Sequence, residues 1–386
     1  MAGVLPGAGR AHLQGMTSTQ ESVFRAAVAA NVPVFMKGLS GIGKSAFIRD
    51  YAAASKRHLE SVVLAHKEKS DVGGIPTVRE GSDGATTTEF AVPGWGERLI
   101  SAPKGLLLLS EFNMGEIDVQ QACMNVLQER QVGENTYLPE SVAIVLDGNP
   151  PERYAGSNDL PSQIANRMLH LDWELDRQAW LDGMATGWPT STERIIDDAS
   201  ARSDRRAREQ SLVLAFLDAH RHFIHDQPTD PAREGGPWPS PRSWDNAIAV
   251  LSHIDENATD VQTAALTGLV GKGAAEAFMR WRIEAADFDL RAVLEDPTVE
   301  NWTAHHPSKT LTVLGAVATY AVEQGSKHTW QAALDVLLHC AETTGRKDVC
   351  LRSARLLLSR APKGATIPAT AEDTFGPMLR SIGAWT

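Results

Sequence analysis

Short apolar runs and longer segments of helical spacing alternate along the first part of the chain. The apolar runs, which favour buried parallel strands, occupy residues 32–36, 61–65, 105–110, 142–146 and 168–171. Helical patterns occupy residues 20–30, the segment after residue 44, and residues 116–130. A glycine- and threonine-containing stretch at 73–88 indicates a long loop or a hairpin. Strands that alternate with helices predict an α/β sheet.

The strand signal stops after residue 172, and the remainder reads as helix. Helical patterns occupy residues 174–226, 243–254, 260–267, 274–284, 311–324, 330–343 and 348–359. A connector rich in proline and glycine covers residues 227–241. The chain is therefore predicted to contain a flexible leader (1–16), an α/β domain (17–173), a helical domain (174–286) and a helical extension (287–386).

Composition narrows the class of protein. A chain of 386 residues with a net charge of −11 fits two or three globular domains, and the charge disfavours a nucleic-acid partner. Three scattered cysteines do not form a disulfide framework, which suits a reducing cytoplasm. No apolar stretch of about 18 residues is present, so no membrane partner is expected.

The sequence Gly-Leu-Ser-Gly-Ile-Gly-Lys-Ser at 38–45 matches the phosphate-binding loop G-x-x-x-x-G-K-[ST]. It follows an apolar strand and precedes a helical segment, which is the context that the motif requires. Lys44 is expected to reach the β- and γ-phosphates, and the Ser45 hydroxyl to bind Mg²⁺. ATP and Mg²⁺ are thus the predicted cofactors. The predicted nucleotide contacts are Gly38, Ser40, Gly41, Ile42, Gly43, Lys44, Ser45 and Ala46.

Three further polar residues stand at or near the ends of the predicted strands. Glu111 follows the third strand, where a carboxylate can orient the water that attacks the γ-phosphate. Asn149 follows the fourth strand, and its amide can bind both the γ-phosphate and the water. Arg167 precedes the fifth strand and could enter a neighbouring subunit's site. Arg130 and Arg153 could compete for that role, but surface arginines are more commonly solvated or ion-paired.

Together these motifs resemble the MoxR-like branch of the AAA+ ATPases over about residues 20 to 280. Besides the loop, the matching segments are residues 71–76 (Asp-Val-Gly-Gly-Ile-Pro), 105–111, 126–132, 138–140, 148–151, 160–168 and 240–244 (Ser-Pro-Arg-Ser-Trp). The resemblance implies an α/β P-loop AAA+ core, with a parallel five-stranded sheet between helices, followed by an all-helical lid. The helical C-terminal extension is predicted from the helical patterns alone. Residues from about 287 onward match no motif of the family.

The resemblance also implies roles and partners. Glu111 polarises water, Asn149 is the first sensor, Arg167 is a finger in trans, and Arg242 is a second sensor that reaches the γ-phosphate from the lid. Members form rings, usually hexamers, that remodel protein complexes or insert metal cofactors. They often act beside a partner with a von Willebrand factor A domain. A ring homo-oligomer that acts on a protein partner is therefore expected.

One residue departs from the family pattern, which has Asp-Glu where this chain has Ser110-Glu111. The missing acid normally holds Mg²⁺ directly or through water. The expected outcome is a slower ATPase that needs more Mg²⁺; the alternative is a nucleotide-gated scaffold with little turnover. Ser110→Asp should then raise hydrolysis or lower the Mg²⁺ requirement, unless another carboxylate already serves. Asp147 is interpreted as a structural polar residue, with a role as the replacement Mg²⁺ ligand as the open alternative. A P-loop kinase fits the set of sensors and arginines poorly.

Overall fold

A computed structural model describes residues 18–80, 86–154, 156–186, 199–285 and 288–381. The predicted leader lies outside these ranges. The described residues form two compact units. Unit 1 contains residues 18–186, 227–250 and 254–272, and unit 2 contains residues 199–226, 251–253 and 273–381. Unit 2 contains residues on both sides of the predicted boundary at 286. The division into a lid and a C-terminal extension therefore stays a prediction.

Unit 1 is built on a parallel sheet. The strands of the chain are β1 (Val34–Lys37), β2 (His58–Val63), β3 (Ile75–Glu80), β4 (Thr86–Ala91), β5 (Gly105–Ser110), β6 (Val142–Gly148) and β7 (Leu169–Asp172). Five of them pair in parallel in the order β2-β5-β6-β1-β7. β3 and β4 form a separate antiparallel hairpin. The predicted fold class, a five-stranded parallel sheet between helices followed by a helical region, is confirmed.

Helices flank the sheet and are the main elements of the remaining described residues. Their bounds are α1 (Ser18–Ala29), α2 (Lys44–Ala54), α3 (Lys69–Gly73), α4 (Gly94–Ser101), α5 (Ile117–Glu129), α6 (Ser162–Ala165), α7 (Arg177–Thr186), α8 (Ala199–Ala219), α9 (Pro231–Glu234), α10 (Pro241–Leu251), α11 (Thr259–Val270), α12 (Lys272–Ala285), α13 (Leu290–Glu295), α14 (Pro307–Gln324), α15 (Lys327–Thr344), α16 (Lys347–Ser359) and α17 (Ala369–Ser381). Within the described ranges, no helix is both long and apolar enough to cross a membrane.

The central strands explain the apolar runs of the sequence. Every residue of β5 and β6 is buried, because helices cover both faces of a parallel sheet. The edge strand β2 pairs only with β5 and keeps several polar, partly exposed residues. The apolar run at 61–65 therefore predicted the bounds of this strand poorly, and β2 begins three residues before it. Leu64 lies in the 3₁₀ turn that follows.

Unit 2 has its own core, which α13 to α17 build from leucine, valine, alanine and tryptophan side chains. A buried ion pair also joins α8 to α12 in this unit. Arg282 donates from both terminal nitrogens to the Glu209 carboxylate, at 2.9 and 2.8 Å. Arg205 Nε lies 3.0 Å from the same carboxylate. Bidentate pairing of this kind compensates for removing the charges from water.

Close backbone approach seats α11 against β7 in unit 1. A Cβ atom at Gly268 would lie 2.2 Å from the carbonyl oxygen of His170. The neighbouring atom is backbone and cannot swing aside, so only glycine allows this contact. Residue 268 therefore determines how closely the helix packs against the edge of the sheet.

We expect Gly268→Ala to lower the free energy of unfolding by about 1–3 kcal/mol, because the added methyl group forces α11 and β7 apart. Urea unfolding followed by circular dichroism measures this change. Gly73→Ala is the matched control, since Gly73 also lies in a helix of unit 1 and a Cβ there meets nothing within 4 Å. Equal stability of the two variants would contradict the packing argument.

Candidate nucleotide site

The phosphate-binding loop connects β1 to the N-terminus of α2. Gly41 and Gly43 have φ values of +80° and +94°, a conformation that side chains with a Cβ rarely adopt. Gly38 is required for a different reason, since a Cβ there would lie 2.5 Å from the carbonyl oxygen of Trp173. Gly43 caps α2, so the positive end of the helix faces the loop. The local geometry is that of an anion-binding cradle.

Lys44 is buried, and its ammonium group lies inside the loop. Its Nζ donates to the carbonyl oxygens of Gly38 (2.6 Å) and Leu39 (2.9 Å), and approaches Asn149 Oδ1 at 3.4 Å. Burial lowers the pKa of Lys44, while the negative charges of Asp147 and Glu111 act in the opposite direction. The two carboxylates therefore help to keep this buried lysine charged and ready for an anion.

Asp147 connects the loop to β5. Its Oδ2 accepts a hydrogen bond from Ser45 Oγ (3.1 Å). Its Oδ1 accepts from Ser110 Oγ (3.0 Å) and from the Glu111 backbone N–H (2.6 Å). The carboxylate is 3% exposed, so these donors replace the water that it loses. Sequence reasoning left its role open, and the structure brings it to the centre of the site.

Glu111 stands directly after β5 in a left-handed backbone conformation, with φ 53° and ψ 41°. Few residues other than glycine adopt this conformation, which costs about 1–3 kcal/mol and is concentrated at functional sites. The hydrogen bond from its N–H to Asp147 helps to hold it. The left-handed turn redirects the chain at the edge of the sheet, where Glu111 lines the cavity described below.

Asn149 is held by Asn113, a buried residue that the sequence analysis missed. Asn113 Nδ2 donates to the Asn149 carbonyl (2.7 Å), and the Asn149 N–H donates to Asn113 Oδ1 (3.1 Å). Gly148 makes room for this clamp, because a Cβ there would lie 2.5 Å from Asn113 Oδ1. The position of Asn113 two residues after Glu111 was the available signal. The clamp orients the backbone of the predicted sensor.

These elements enclose a cavity of about 340 Å³ at the carboxyl edge of the sheet. Its lining is Ser40, Gly41, Gly43, Lys44, Ser45, Ala46, Arg49, Ser110, Glu111, Asp147, Gly148 and Asn149. Most predicted loop contacts, together with Glu111 and Asn149, are thus brought together. Arg49 is an additional cation that sequence reasoning did not select. Tyr154, also missed, accepts a hydrogen bond from the Ser40 N–H at 2.9 Å.

Arg167 and Arg242, the arginines predicted to act on the nucleotide, belong to unit 1 but lie outside this cavity. Among the described residues, those lining the cavity do not include Arg167 or Arg242. Arg167 donates to Gln128 Oε1 (2.5 Å) and to the Gln163 carbonyl. Burial lowers the pKa of Arg167, and the positive charge of Arg242 lowers it further, so the two guanidinium groups are electrostatic neighbours. The single chain therefore groups the arginines with each other and apart from the loop.

Asn166 explains why the arginines are neighbours. Its Nδ2 donates to the Trp238 carbonyl (2.9 Å), and Ser240 Oγ donates to its Oδ1 (2.6 Å). Ser240 and Ser243 exchange backbone-to-side-chain hydrogen bonds at the start of α10. Arg242 follows this anchored turn, and its positive charge reaches Arg167, the residue after Asn166.

Arg130, which was considered as an alternative finger, has a structural role. Its guanidinium donates to the carbonyl oxygens of Leu138 (3.1 Å), Pro139 (2.7 Å) and Val142, and to Asn31 Oδ1 (3.1 Å). Burial lowers its pKa. These contacts tie the segment before β6 to the sheet and occupy the donors of the side chain.

No protein-family model matches the sequence, and no curated protein matches it. Solved structures with similarity include a protein from Cytophaga hutchinsonii described as a candidate ATPase. That match has 14% identity and a TM-score of 0.38, and covers 72% of this chain and 86% of that one. An MCM homolog from Methanopyrus kandleri has 15% identity and a TM-score of 0.33, with coverage of 68% and 55%. NtrX from Brucella abortus has 15% identity and a TM-score of 0.30, with coverage of 90% and 70%.

All three TM-scores lie below 0.5, so these likenesses do not define an activity. The chain's own geometry is more specific. The loop of residues 38–45 joins a central parallel strand to a helix N-terminus, and Lys44, Ser45 and Glu111 line one cavity beside it. Unit 1 therefore has the fold of a P-loop nucleotide-binding domain.

We expect Lys44→Ala to weaken ATP binding by about ten- to a hundredfold, because hydrogen bonds to charged groups contribute roughly 1.5–3 kcal/mol. Isothermal titration calorimetry with ATP measures the change. Lys104→Ala is the control, since Lys104 is exposed and precedes the opposite end of β5. Unchanged affinity in Lys44→Ala would show that the loop is not the nucleotide site.

Proposed function

We propose that this protein is a Mg²⁺-dependent ATP hydrolase of the AAA+ type, with MoxR-like character, that assembles into a ring and remodels a protein partner. The observation that carries the proposal is the convergence of Lys44, Ser45, Glu111 and Asn149 on one cavity. These residue types at these positions are those that ATP hydrolysis by a P-loop fold needs.

In this proposal Lys44 neutralises the phosphates, and its burial strengthens the attraction. Glu111 accepts a hydrogen bond from the attacking water and aligns it with the γ-phosphate. Asn149 donates from its amide to the γ-phosphate, while its Oδ1 approaches the Lys44 ammonium. The Asn113 clamp limits the motion of Asn149, so little reorganisation is needed when charge develops.

The donors near the phosphate side of the cavity suit Mg²⁺. Ser45 offers a hydroxyl, and Glu111 and Asp147 offer carboxylates, so the set consists of hard oxygen ligands. When bound, Mg²⁺ would supply positive charge that offsets the charge of the reacting phosphate. Ser45 is the direct protein ligand expected from the motif.

The location of Arg167 and Arg242 supports action between subunits. Neither lines the cavity that contains Lys44, as far as the described residues extend. The charge of Arg242 lowers the pKa of Arg167. Asn166 holds the segment before Arg242 through its hydrogen bonds with Trp238 and Ser240. Glu129 supplies a negative charge near Arg167. Two guanidinium groups close to each other nevertheless suit the phosphates of an adjacent subunit.

A protein partner fits the exposed hairpin of unit 1. Val78 and Phe90 lie on the same face of the β3–β4 hairpin and are 75% and 46% exposed, while Ile75 lies on the opposite face and is 62% exposed. Apolar side chains grouped on a surface are typical of protein contact sites. We further propose, from the MoxR resemblance, a hexameric ring with chaperone activity in the cytoplasm. A partner with a von Willebrand factor A domain is part of the same proposal.

The second candidate is a nucleotide-gated scaffold with little turnover. This alternative was suggested by the absence of an acid at position 110. Asp147 supplies a buried carboxylate beside Ser45, which favours turnover over the scaffold. A Mg²⁺-dependent phosphate-release assay on the purified chain distinguishes the two functions.

We expect Arg167→Ala and Glu111→Gln each to bind ATP yet hydrolyse it poorly, and a mixture of the two to recover turnover. In a mixed ring, the intact Glu111 of one subunit can meet the intact Arg167 of its neighbour. Arginine fingers contribute on the order of 10³–10⁵ in rate, so the recovery should be clear in a phosphate-release assay.

The control mixture combines Lys44→Ala with Glu111→Gln, in which neither subunit offers a competent pocket. No recovery of turnover in either mixture, together with a monomer by light scattering in saturating ATP, would contradict the proposed ring assembly. The nucleotide-gated scaffold would then be the better supported function.

A parallel experiment tests Arg242. If Arg242 acts across the interface with Arg167, mixing Arg242→Ala with Glu111→Gln should also recover turnover. If it acts on the nucleotide of its own chain, the Arg242→Ala pocket is defective and this mixture stays inactive. Steady-state turnover over a range of mixing ratios separates these outcomes.

A further inference from the structure

We propose that Asp147 on β6 is the carboxylate that serves Mg²⁺ in this protein, and that Ser110 on β5 has become its hydrogen-bond donor. The proposal rests on ATP binding as proposed above and names the residue that completes the metal site. It differs from the MoxR-like pattern, in which the acid stands at the position of Ser110.

The sheet register brings the two positions together. β5 and β6 are parallel neighbours, with Leu109 paired to Leu146, so the next residues along each strand are Ser110 and Asp147. β6 also pairs with β1, where Met36 lies opposite Asp147. A side chain at position 147 therefore stands between β5 and the strand that leads into the phosphate-binding loop.

The two oxygens of Asp147 have different partners. Oδ1 receives both Ser110 Oγ and the Glu111 N–H, at 3.0 and 2.6 Å. Oδ2 receives only the Ser45 hydroxyl among the hydrogen bonds described, at 3.1 Å. One oxygen is thus anchored to β5, and the other is directed at the residue that the motif assigns to the metal.

The contact with Ser45 has a chemical consequence. A hydroxyl that coordinates a cation through its oxygen can still donate its hydrogen in a hydrogen bond, and Asp147 Oδ2 accepts that bond from Ser45 at 3.1 Å. A carboxylate beside the metal ligand also balances the cation and orients it, as outer partners of metal ligands commonly do. Asp147 is therefore suited to act through Ser45 and through the water that Mg²⁺ retains.

The presence of Ser110 follows from the same geometry. An acid at position 110 would bring a second carboxylate to the place where Ser110 Oγ lies 3.0 Å from Asp147 Oδ1. Two carboxylates at this separation repel each other and cannot both stay ionised easily. A serine instead donates to the carboxylate and stabilises it. On this proposal, Ser110→Asp is expected to destabilise the site, in contrast to the gain in hydrolysis or the lower Mg²⁺ requirement that the sequence alone predicts.

Asp147→Asn tests the metal role, since it keeps the shape of the side chain and removes its charge. Binding of ATP is measured in EDTA and over a Mg²⁺ titration, and Mn²⁺ binding by the loss of the electron paramagnetic resonance signal of free Mn²⁺. We expect the metal concentration at half-saturation to rise about 10- to 100-fold, a larger factor than any loss of metal-free ATP affinity. Ser110→Ala, which removes only the hydroxyl, should shift the metal midpoint much less.

Two results would overturn the role of Asp147. One is a metal midpoint in Asp147→Asn within twofold of the parent, and the other is an equal loss of metal-free and metal-dependent binding, which indicates a purely structural residue. Failure of the parent protein to bind ATP at all would instead sink the proposed function. Metal-free ATP binding thus separates the two failures and also reports that the variant is folded.

Exchanging the residues tests the compensation. Ser110→Asp alone should lower the free energy of unfolding without nucleotide, because two carboxylates then face each other. The double variant Ser110→Asp/Asp147→Ser should be more stable than Ser110→Asp, and should bind Mn²⁺ in the presence of ATP better than Asp147→Ser. A double variant that improves on neither single variant would overturn the exchange of roles between the two strands.

Discussion

The buried carboxylate of Asp147 is the interaction on which the site depends. It gathers hydrogen bonds from Ser45, Ser110 and Glu111, and so ties the phosphate-binding loop to the end of β5. A charge removed from water is tolerated only when donors or an opposite charge replace the solvent. Here three donors do so, and Lys44 supplies positive charge nearby. The loop, the strained Glu111 and the metal ligand are consequently held by a single group.

Two buried asparagines extend this organisation without adding charge. Asn113 holds the backbone of Asn149 through both ends of its amide, and Asn166 holds Trp238 and Ser240 in the same manner. An amide both donates and accepts, so it can bridge loops that approach the site from different strands. The first clamp positions a residue of the cavity. The second groups Arg167 with the turn that carries Arg242, which gives the arginines a common location in unit 1.

Unit 2 achieves order by a different route. Its helices pack an apolar core, and the pair of Glu209 and Arg282 joins α8 to α12 inside it. Losing one partner of such a pair would leave a buried charge uncompensated, so the pair strongly restricts how these helices pack. The motifs of the sequence nevertheless concentrate in unit 1. Unit 2 has an apolar core of its own, and the sequence of that core carries no nucleotide motif.

The sequence by itself determined the order of strands and helices in the sheet domain, the phosphate-binding loop, and the positions of Glu111 and Asn149 at strand ends. These features follow from local patterns, since buried parallel strands are continuous apolar runs and a helix N-terminus needs its glycine turn. The short helices, the edge strand β2 and the hairpin were less clear, because exposure dilutes their hydrophobic signal. Only the tertiary structure decided that Asp147 faces Ser110, that Asn113 clamps Asn149, and that the charge of Arg242 acts on Arg167. Each of these pairs is separated by many residues, and strand register and loop packing, which bring them together, are not written in any local segment.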